Sequence, residues 1–194
     1  MIVLKLFALI CTYLLCSVLG GDFISKIFGV KDLRTQGSGN IGATNAWRVA
    51  GRNMGIVTFL FDALKAFIPV YIISRYLGLG IGQLAMICAV CGHVFPIWRN
   101  FKGGRGVATM GASLMACIPA LGIIMLCVWL LAFRYRRISS IASISSVVVV
   151  WLFSFLFYGS IQIFLAVSII SAIVLWRHRE NIERIIEGRE QPIK

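Results

Sequence analysis

Apolar residues in this chain come in long unbroken runs, with little alternation. Five runs are clear: Ile2–Leu19, Met54–Leu77, Ile81–Trp98, Ile144–Phe157 and Ile161–Trp176. Runs of this kind match helices that cross hydrocarbon. A membrane barrel would need apolar and polar residues in turn, and that pattern is missing. The pattern predicts an all-α integral membrane protein, a single polytopic domain over 1–194. A sixth stretch, Val107–Phe133, is long for one crossing and has Pro119 at its middle.

Lys and Arg decide how that stretch is counted. If it crosses once, Arg134, Arg136 and Arg137 lie opposite Arg99, Lys102 and Arg105, against the positive-inside rule. If it is two short helices turning near Pro119, four basic segments share one face: 21–53, 98–106, 134–143 and 177–194. These hold 16 of the 19 Lys and Arg residues; only Lys5, Lys65 and Arg75 fall elsewhere. The expectation is therefore seven transmembrane helices, with the N-terminus outside and the C-terminus cytoplasmic. Each half of the broken stretch is about 13 residues, roughly 20 Å of helix, against a hydrocarbon core of about 30 Å. The pair is either extended by its flanks or re-entrant, and both geometries give the same parity.

Composition agrees. The chain is 59% hydrophobic, where soluble domains run at about 45–50%. Its net charge of +12 does not point to nucleic acid, because the cations sit in short segments between spans. Six cysteines (Cys11, Cys16, Cys88, Cys91, Cys117 and Cys127) lie in apolar runs. Cys88 and Cys91 have metal spacing but no second pair, so they read as buried apolar residues. Ser17-Val18-Leu19 is a poor signal-peptide cleavage site, so the first run reads as a span.

Polar chemistry gathers in the basic segments. The first carries Gly37-Ser38-Gly39-Asn40-Ile41-Gly42-Ala43-Thr44-Asn45-Ala46-Trp47-Arg48, dense in hydrogen-bond donors and low in bulk. It suits an anion or polyol pocket, with Arg48 forking onto a phosphate; the alternative is a connecting loop with a helix cap. The second carries Gly92-His93 and then Phe101-Lys102-Gly103-Gly104-Arg105-Gly106. Glycines let backbone N–H groups close on an oxyanion, two cations supply charge, and a helix starting at about Val107 adds its positive end. It is not a Walker loop. His93, at an apolar helix end, is either structural or catalytic. In the third, hydroxyls in Ser139-Ser140-Ile141-Ala142-Ser143 beside three Arg either ligate phosphate or cap a helix starting near Ile144.

The fourth segment places His178 between Arg177 and Arg179, with Asn181 one helical turn on. Flanking Arg favours the neutral imidazole, which can accept a proton. The alternative is a salt-bridged tail helix with a Glu180–Arg184 pair. Asp62 and Lys65, three apart within a span, form either a functional pair or an ion pair that orders the bundle. The seven acidic residues include four in the C-terminal tail, so no Asp cluster is placed to hold Mg²⁺. The His-x4-Asp acyltransferase pattern and the Gly-x-Ser-x-Gly elbow are absent too.

The ordered set resembles the bacterial membrane glycerol-3-phosphate acyltransferases of the PlsY type. Three motifs carry the likeness: Gly37 to Asn45; Gly92-His93, Phe95-Pro96 and Lys102 to Thr109; and His178-Arg179, Asn181-Ile182, Arg184, Gly188 and Glu190. Asp62 to Lys65 and the Ser140/Ser143 pair look like the family too, over roughly residues 20–190. Arg105 departs from it, since the family commonly has Lys there; charge is kept. The resemblance implies transfer of an acyl chain from acyl phosphate to the 1-hydroxyl of glycerol 3-phosphate. The products would be 1-acylglycerol 3-phosphate and inorganic phosphate, with no cofactor or metal and no required oligomer. It places the protein in the bacterial inner membrane, among lipid, with its active site facing the cytoplasm.

Carried over, the catalytic candidates are Ser38, Arg48, His178 and Asn181. The substrate- or phosphate-binding candidates are Asn40, Asn45, Lys102, Gly103, Gly104, Arg105, Gly106, Ser140 and Ser143. His178 is the first candidate base; a substrate phosphate taking the proton itself is the rival. A covalent acyl-Ser38 would need a base that the sequence does not place beside it. Two other classes are an organic-phosphate transporter, expected to bind near mid-membrane in repeated halves, and a phosphatidyl-alcohol phosphotransferase, disfavoured by the missing acidic cluster.

Overall fold

The computed structural model describes residues 1–192, and among these every regular element is helical. Helix α1 (Ile2–Cys16) bends by 45° into the short α2 (Gly20–Ile27). A 3₁₀ turn at Leu33–Thr35 leads to α3 (Ala43–Tyr76). That helix is 34 residues long because it runs through a kink, where Ala50 and Gly51 leave helical geometry and Gly51 takes a φ of +85°. Its first turns belong to the basic segment, and the apolar run begins beyond the kink.

Helix α4 (Leu79–Val94) stops before Pro96, as a residue preceding proline disfavours helix. Helices α5 (Val107–Cys117) and α6 (Pro119–Arg136) follow the glycine loop. Pro119 opens α6, where its missing N–H is no loss, so the chain breaks where the sequence predicts. Then come α7 (Ser139–Phe157) and α8 (Ile161–Arg177), the latter bent by 56° into α9 (Arg179–Ile186).

The sequence predicts seven helices, and nine form among the described residues. The two extra, α2 and α9, arise within the basic segments 21–53 and 177–194. Four helices have the length and hydropathy of a crossing, or six if each bent pair is one span. Helix α5 has 11 residues, roughly 16 Å at the helical rise. Helix α7 starts at Ser139, a full turn before the expected Ile144. Ser140 and Ser143 therefore lie inside a helix and do not cap it; Ile138 holds the cap position with no side-chain bond.

The core is a continuous apolar cluster that includes Val70, Met86, Val90, Met110, Leu114, Leu121, Val147, Val167 and Ile170. Helix α3 packs on α4 and α5, α1 on α4, α6 on α7, and α8 on α4 and α7. At Gly92 a side chain would run into the α1 backbone at Tyr13, so glycine lets these helices approach closely. Outward faces carry Leu4, Phe7, Ile10, Leu60, Leu64, Ile68, Leu130 and Leu156, all exposed. That exposure is favourable only in contact with lipid tails.

Hydrogen bonds join all four basic segments at one end of the bundle. Thr44 and Ser139 hydroxyls meet at 3.0 Å. Ser140 Oγ donates to Glu190 Oε1 at 2.7 Å. Arg177 donates through Nη2 to the Gly103 carbonyl (2.8 Å) and through Nε to that of Gly104 (3.2 Å). On α2, Asp22 accepts from Arg34 and from Arg99, each at 2.7 Å, tying the first segment to the second.

Candidate active site

The first motif is shaped from within by Asn45. Its buried side chain donates from Nδ2 to the carbonyls of Leu33 (2.9 Å) and Gln36 (3.0 Å), while Oδ1 accepts the Ser38 N–H at 2.8 Å. Gly37 turns with a φ of +58°, and a side chain there would strike Asn45 Oδ1. Asn45, expected to bind phosphate, has its hydrogen-bonding groups committed to holding the loop. What the loop presents is Ser38, Gly39 and Asn40.

These three line a polar cleft of about 100 Å³ together with Gly103, Arg105, Arg177, Arg179 and Glu180. The first, second and fourth segments thus meet in one hollow. Its charge is unbalanced, with three guanidiniums against one carboxylate. The Arg105 guanidinium makes no hydrogen bond or ion pair among the described residues. Burial, and the nearby Arg184 charge, push its pKa down to about 10. An anion arriving in the cleft would relieve both effects.

The other expected ligands divide. Lys102 is exposed and lies outside the cleft lining. Gly104 faces the His93 ring, and a side chain at Gly106 would press on Val94, Val174 and Val90. Gly106 takes a φ of +85° and sits just before α5, so the helix starts at Val107 as the sequence predicts. Ser143 Oγ accepts from Trp129 Nε1 at 3.1 Å. Arg48 Nη2 donates to the Gln191 carbonyl at 2.8 Å. In this structure these two bond to other parts of the chain and do not line the cleft.

His178 closes α8 and is 2% exposed. The Val174 carbonyl lies 2.7 Å from its Nδ1, and a carbonyl can only accept, so Nδ1 carries the ring proton and Nε2 is the free acceptor. Burial lowers its pKa to about 4, opposed by the Val174 hydrogen bond and reinforced by Arg105. The imidazole is neutral at pH 7. Asn181, one helical turn on, is also buried; its Nδ2 donates to Glu190 Oε1 at 2.7 Å, and its Oδ1 has no partner among the described residues.

Two groups outside the candidate site residues also shape the site. Arg177 clamps the glycine loop through two carbonyls, and its position against His178 was the available signal. Glu190 is the second. Its carboxylate collects Ser140, Asn181 and the Arg184 Nε (2.6 Å). Burial raises its pKa, and those hydrogen bonds overcome that and leave it lowered. The Glu180–Arg184 pair of the alternative tail-helix reading does not form, because Arg184 turns to Glu190 and Glu180 reaches Arg179. Glu190→Ala is expected to destabilise the protein by about 3 kcal/mol, since it strands a cation and two donors; thermal unfolding in detergent measures it. Among the described residues no three His, Cys, Asp or Glu side chains gather to hold a metal ion.

A family model described as glycerol-3-phosphate acyltransferase matches residues 6–188. The chain belongs to the glycerol-3-phosphate acyltransferase family. A glycerol-3-phosphate acyltransferase of Aquifex aeolicus (strain VF5) is 40% identical over 187 residues, covering 95% of this chain and 97% of that protein. One from Pseudomonas aeruginosa (strain LESB58) is 39% identical over 185 residues, covering 94% and 96%. The crystal structure of PlsY (YgiH), an integral membrane glycerol 3-phosphate acyltransferase, in its glycerol 3-phosphate form, superposes with a TM-score of 0.93. It is 38% identical and covers 98% of this chain and 96% of its own. Its lysophosphatidic acid form gives a TM-score of 0.90 at 36% identity. This acyltransferase is accordingly an integral membrane protein of lipid biosynthesis.

Proposed function

We propose that this acyltransferase moves a fatty acyl chain from acyl phosphate to the 1-hydroxyl of glycerol 3-phosphate, releasing 1-acylglycerol 3-phosphate and inorganic phosphate. One observation carries the reading: the cleft shared by Ser38, Gly39, Asn40, Gly103 and Arg105 has an excess of guanidinium charge, with Arg105 unpaired among the described residues. Two phosphorylated reactants repel each other, and a cationic hollow is what brings them together.

In this mechanism Arg105 and the Arg177–Arg179 pair hold phosphate, packed against Gly103, whose N–H and carbonyl are already bonded to Val94 and Arg177. Ser38 and Asn40 supply neutral hydrogen bonds on the opposite wall. Arg48 and the Lys102 charge steer the second anion, and Ser140 acts through Glu190. The glycerol 1-oxygen attacks the acyl carbonyl, the bond from that carbon to the phosphate oxygen breaks, and the hydroxyl proton ends on the departing phosphate. Proximity supplies much of the acceleration, since phosphate leaves readily.

The proton goes to phosphate for a physical reason. A general base works best with a pKa near the working pH, and His178 is held at about 4, whereas a phosphate monoester has its second pKa near 6. Neutral His178 instead accepts a hydrogen bond at Nε2 and orients the hydroxyl, with the unpartnered Asn181 Oδ1 as a second acceptor. His178→Gln is expected to lower kcat about ten-fold while the kcat–pH profile keeps its shape from pH 5 to 8. An inflection that disappears with the substitution would return the role of base to His178.

The topology proposed with this chemistry has seven crossings: α1, α3, α4, α5, α6, α7 and α8, with α5 and α6 forming either a short pair or a re-entrant one. The N-terminus is outside. The basic end, the cleft and the C-terminus face the cytoplasm of a bacterial cell, where phosphorylated glycerol is available. Incubating purified protein with palmitoyl phosphate and glycerol 3-phosphate tests the reaction. Equal release of phosphate and lysophosphatidic acid is expected. Uptake of the phosphate ester into liposomes with no ester bond formed would make the protein a transporter.

A further inference from the structure

Lys65 lies inside the bundle, 7% exposed, and its ammonium meets three acceptors. Its Nζ is 2.7 Å from the Val18 carbonyl, 2.7 Å from Asp62 Oδ1 and 3.1 Å from His93 Nδ1. An ammonium has three protons and accepts nothing, so these bonds complete its capacity. They also fix the histidine. Nδ1 must accept, so the ring proton of neutral His93 sits on Nε2.

That second nitrogen faces the glycine loop. A Cβ built on Gly104 would collide with His93 Nε2 and come within 3.0 Å of Cε1 and 3.1 Å of Cδ2. The backbone repeats the contact, because Gly104 N–H donates to the His93 carbonyl at 3.2 Å and Gly103 N–H to that of Val94 at 3.1 Å. On the other side Asp62 Oδ1 accepts the Gly20 N–H at 3.0 Å, where α1 turns into α2. A chain of polar contacts therefore runs from the α1–α2 bend through Asp62, Lys65 and His93 to the loop that carries Arg105.

We propose that Asp62, Lys65 and His93 are positioning residues for the reaction: a buried cluster that seats His93 against Gly104 and so sets the glycine loop for phosphate. The cluster does not touch the reacting atoms. Its ion pair fills the ring's inner nitrogen and leaves the outer N–H against the loop, adding the positive end of a neutral donor beside the phosphate seat. Arg177 grips the same two glycines from α8, so the loop is fixed from both faces. Three consequences of the fold then have one cause: a charged pair inside a span, a histidine at a helix end, and a glycine that tolerates no side chain.

The inference rests on the phosphate-binding part of the proposed function, and its test separates the two. His93→Asn places an acceptor oxygen at the depth of Nδ1 and ends there, keeping Lys65 satisfied while removing the contact to Gly104. His93→Gln reaches the depth of Nε2 and carries both an acceptor and an N–H. Kinetics of the purified variants and the rise in melting temperature caused by inorganic phosphate are measured together. His93→Asn is expected to raise KM for glycerol 3-phosphate at least about ten-fold, with kcat within about three-fold. Its melting temperature without phosphate should stay within about 3 °C of the parent, and the rise with phosphate should be lost. His93→Gln should restore both to near the parent.

Two results would overturn the inference. One is a His93→Asn variant with the parent's KM and phosphate response. The other is a parallel fall of kcat, affinity and melting temperature in both variants, which would make the histidine a bundle-ordering residue alone. A parent that responds to phosphate and makes no ester would sink the proposed reaction and leave the positioning role standing.

Discussion

Arg105→Ala is expected to lower kcat/KM for glycerol 3-phosphate acylation about a thousand-fold. Arg105 lines the cleft, has no partner among the described residues, and is the guanidinium whose charge burial most strains. Removing one donor aimed at a developing or transferring oxyanion typically costs 10²- to 10³-fold, and here a full charge leaves with it. Arg105→Lys keeps the charge and loses the planar fork, so a fall within about ten-fold is expected. Steady-state kinetics with each substrate varied in turn would read both. Equal loss in the Ala and Lys variants would mean that the fork, and not the charge, is what matters.

Gly104→Ala is the second large effect, through shape alone. The added methyl has no room beside His93 Nε2, and the histidine cannot retreat because Lys65 and Asp62 hold it from behind. The loop must move, and a displacement of about 1 Å at a site of this kind costs on the order of a hundred-fold in kcat/KM. Gly80→Ala is the matched control. It lies in α4 with nothing within 4 Å of a built Cβ, so activity within about two-fold of the parent is expected. If both substitutions were equally harmless, the loop would be more compliant than its contacts indicate.

Much of this architecture was legible in the residues. Apolar runs named the long helices of the bundle, Pro119 named the break between α5 and α6, and the glycine loop named the start of α5 at Val107, because each signal is local in sequence. The basic segments were expected to share one face, and bonds such as Ser140–Glu190 and Arg177–Gly103 do join them. What the residues left open is long-range. Asn45 looked like a phosphate ligand until Leu33, Gln36 and Ser38 converged on it. Arg184 had a suitable partner one turn away in Glu180, and a tail folded back by Gly188 at φ +67° delivered a better one in Glu190. His93 stood open between two roles, and only the approach of α3 to α4 shows which nitrogen Lys65 occupies.

The proposed reaction requires a single cationic hollow, open to the cytoplasm, that seats both phosphates. Glycerol 3-phosphate does not cross a sealed bilayer, so the side from which it is used reports where that hollow opens. The decisive measurement supplies it to sealed right-side-out and inside-out vesicles carrying the protein and acyl phosphate. Lysophosphatidic acid should form at once in inside-out vesicles and, in right-side-out ones, only after permeabilisation. Equal synthesis in both before permeabilisation, or synthesis confined to right-side-out vesicles, would contradict the account.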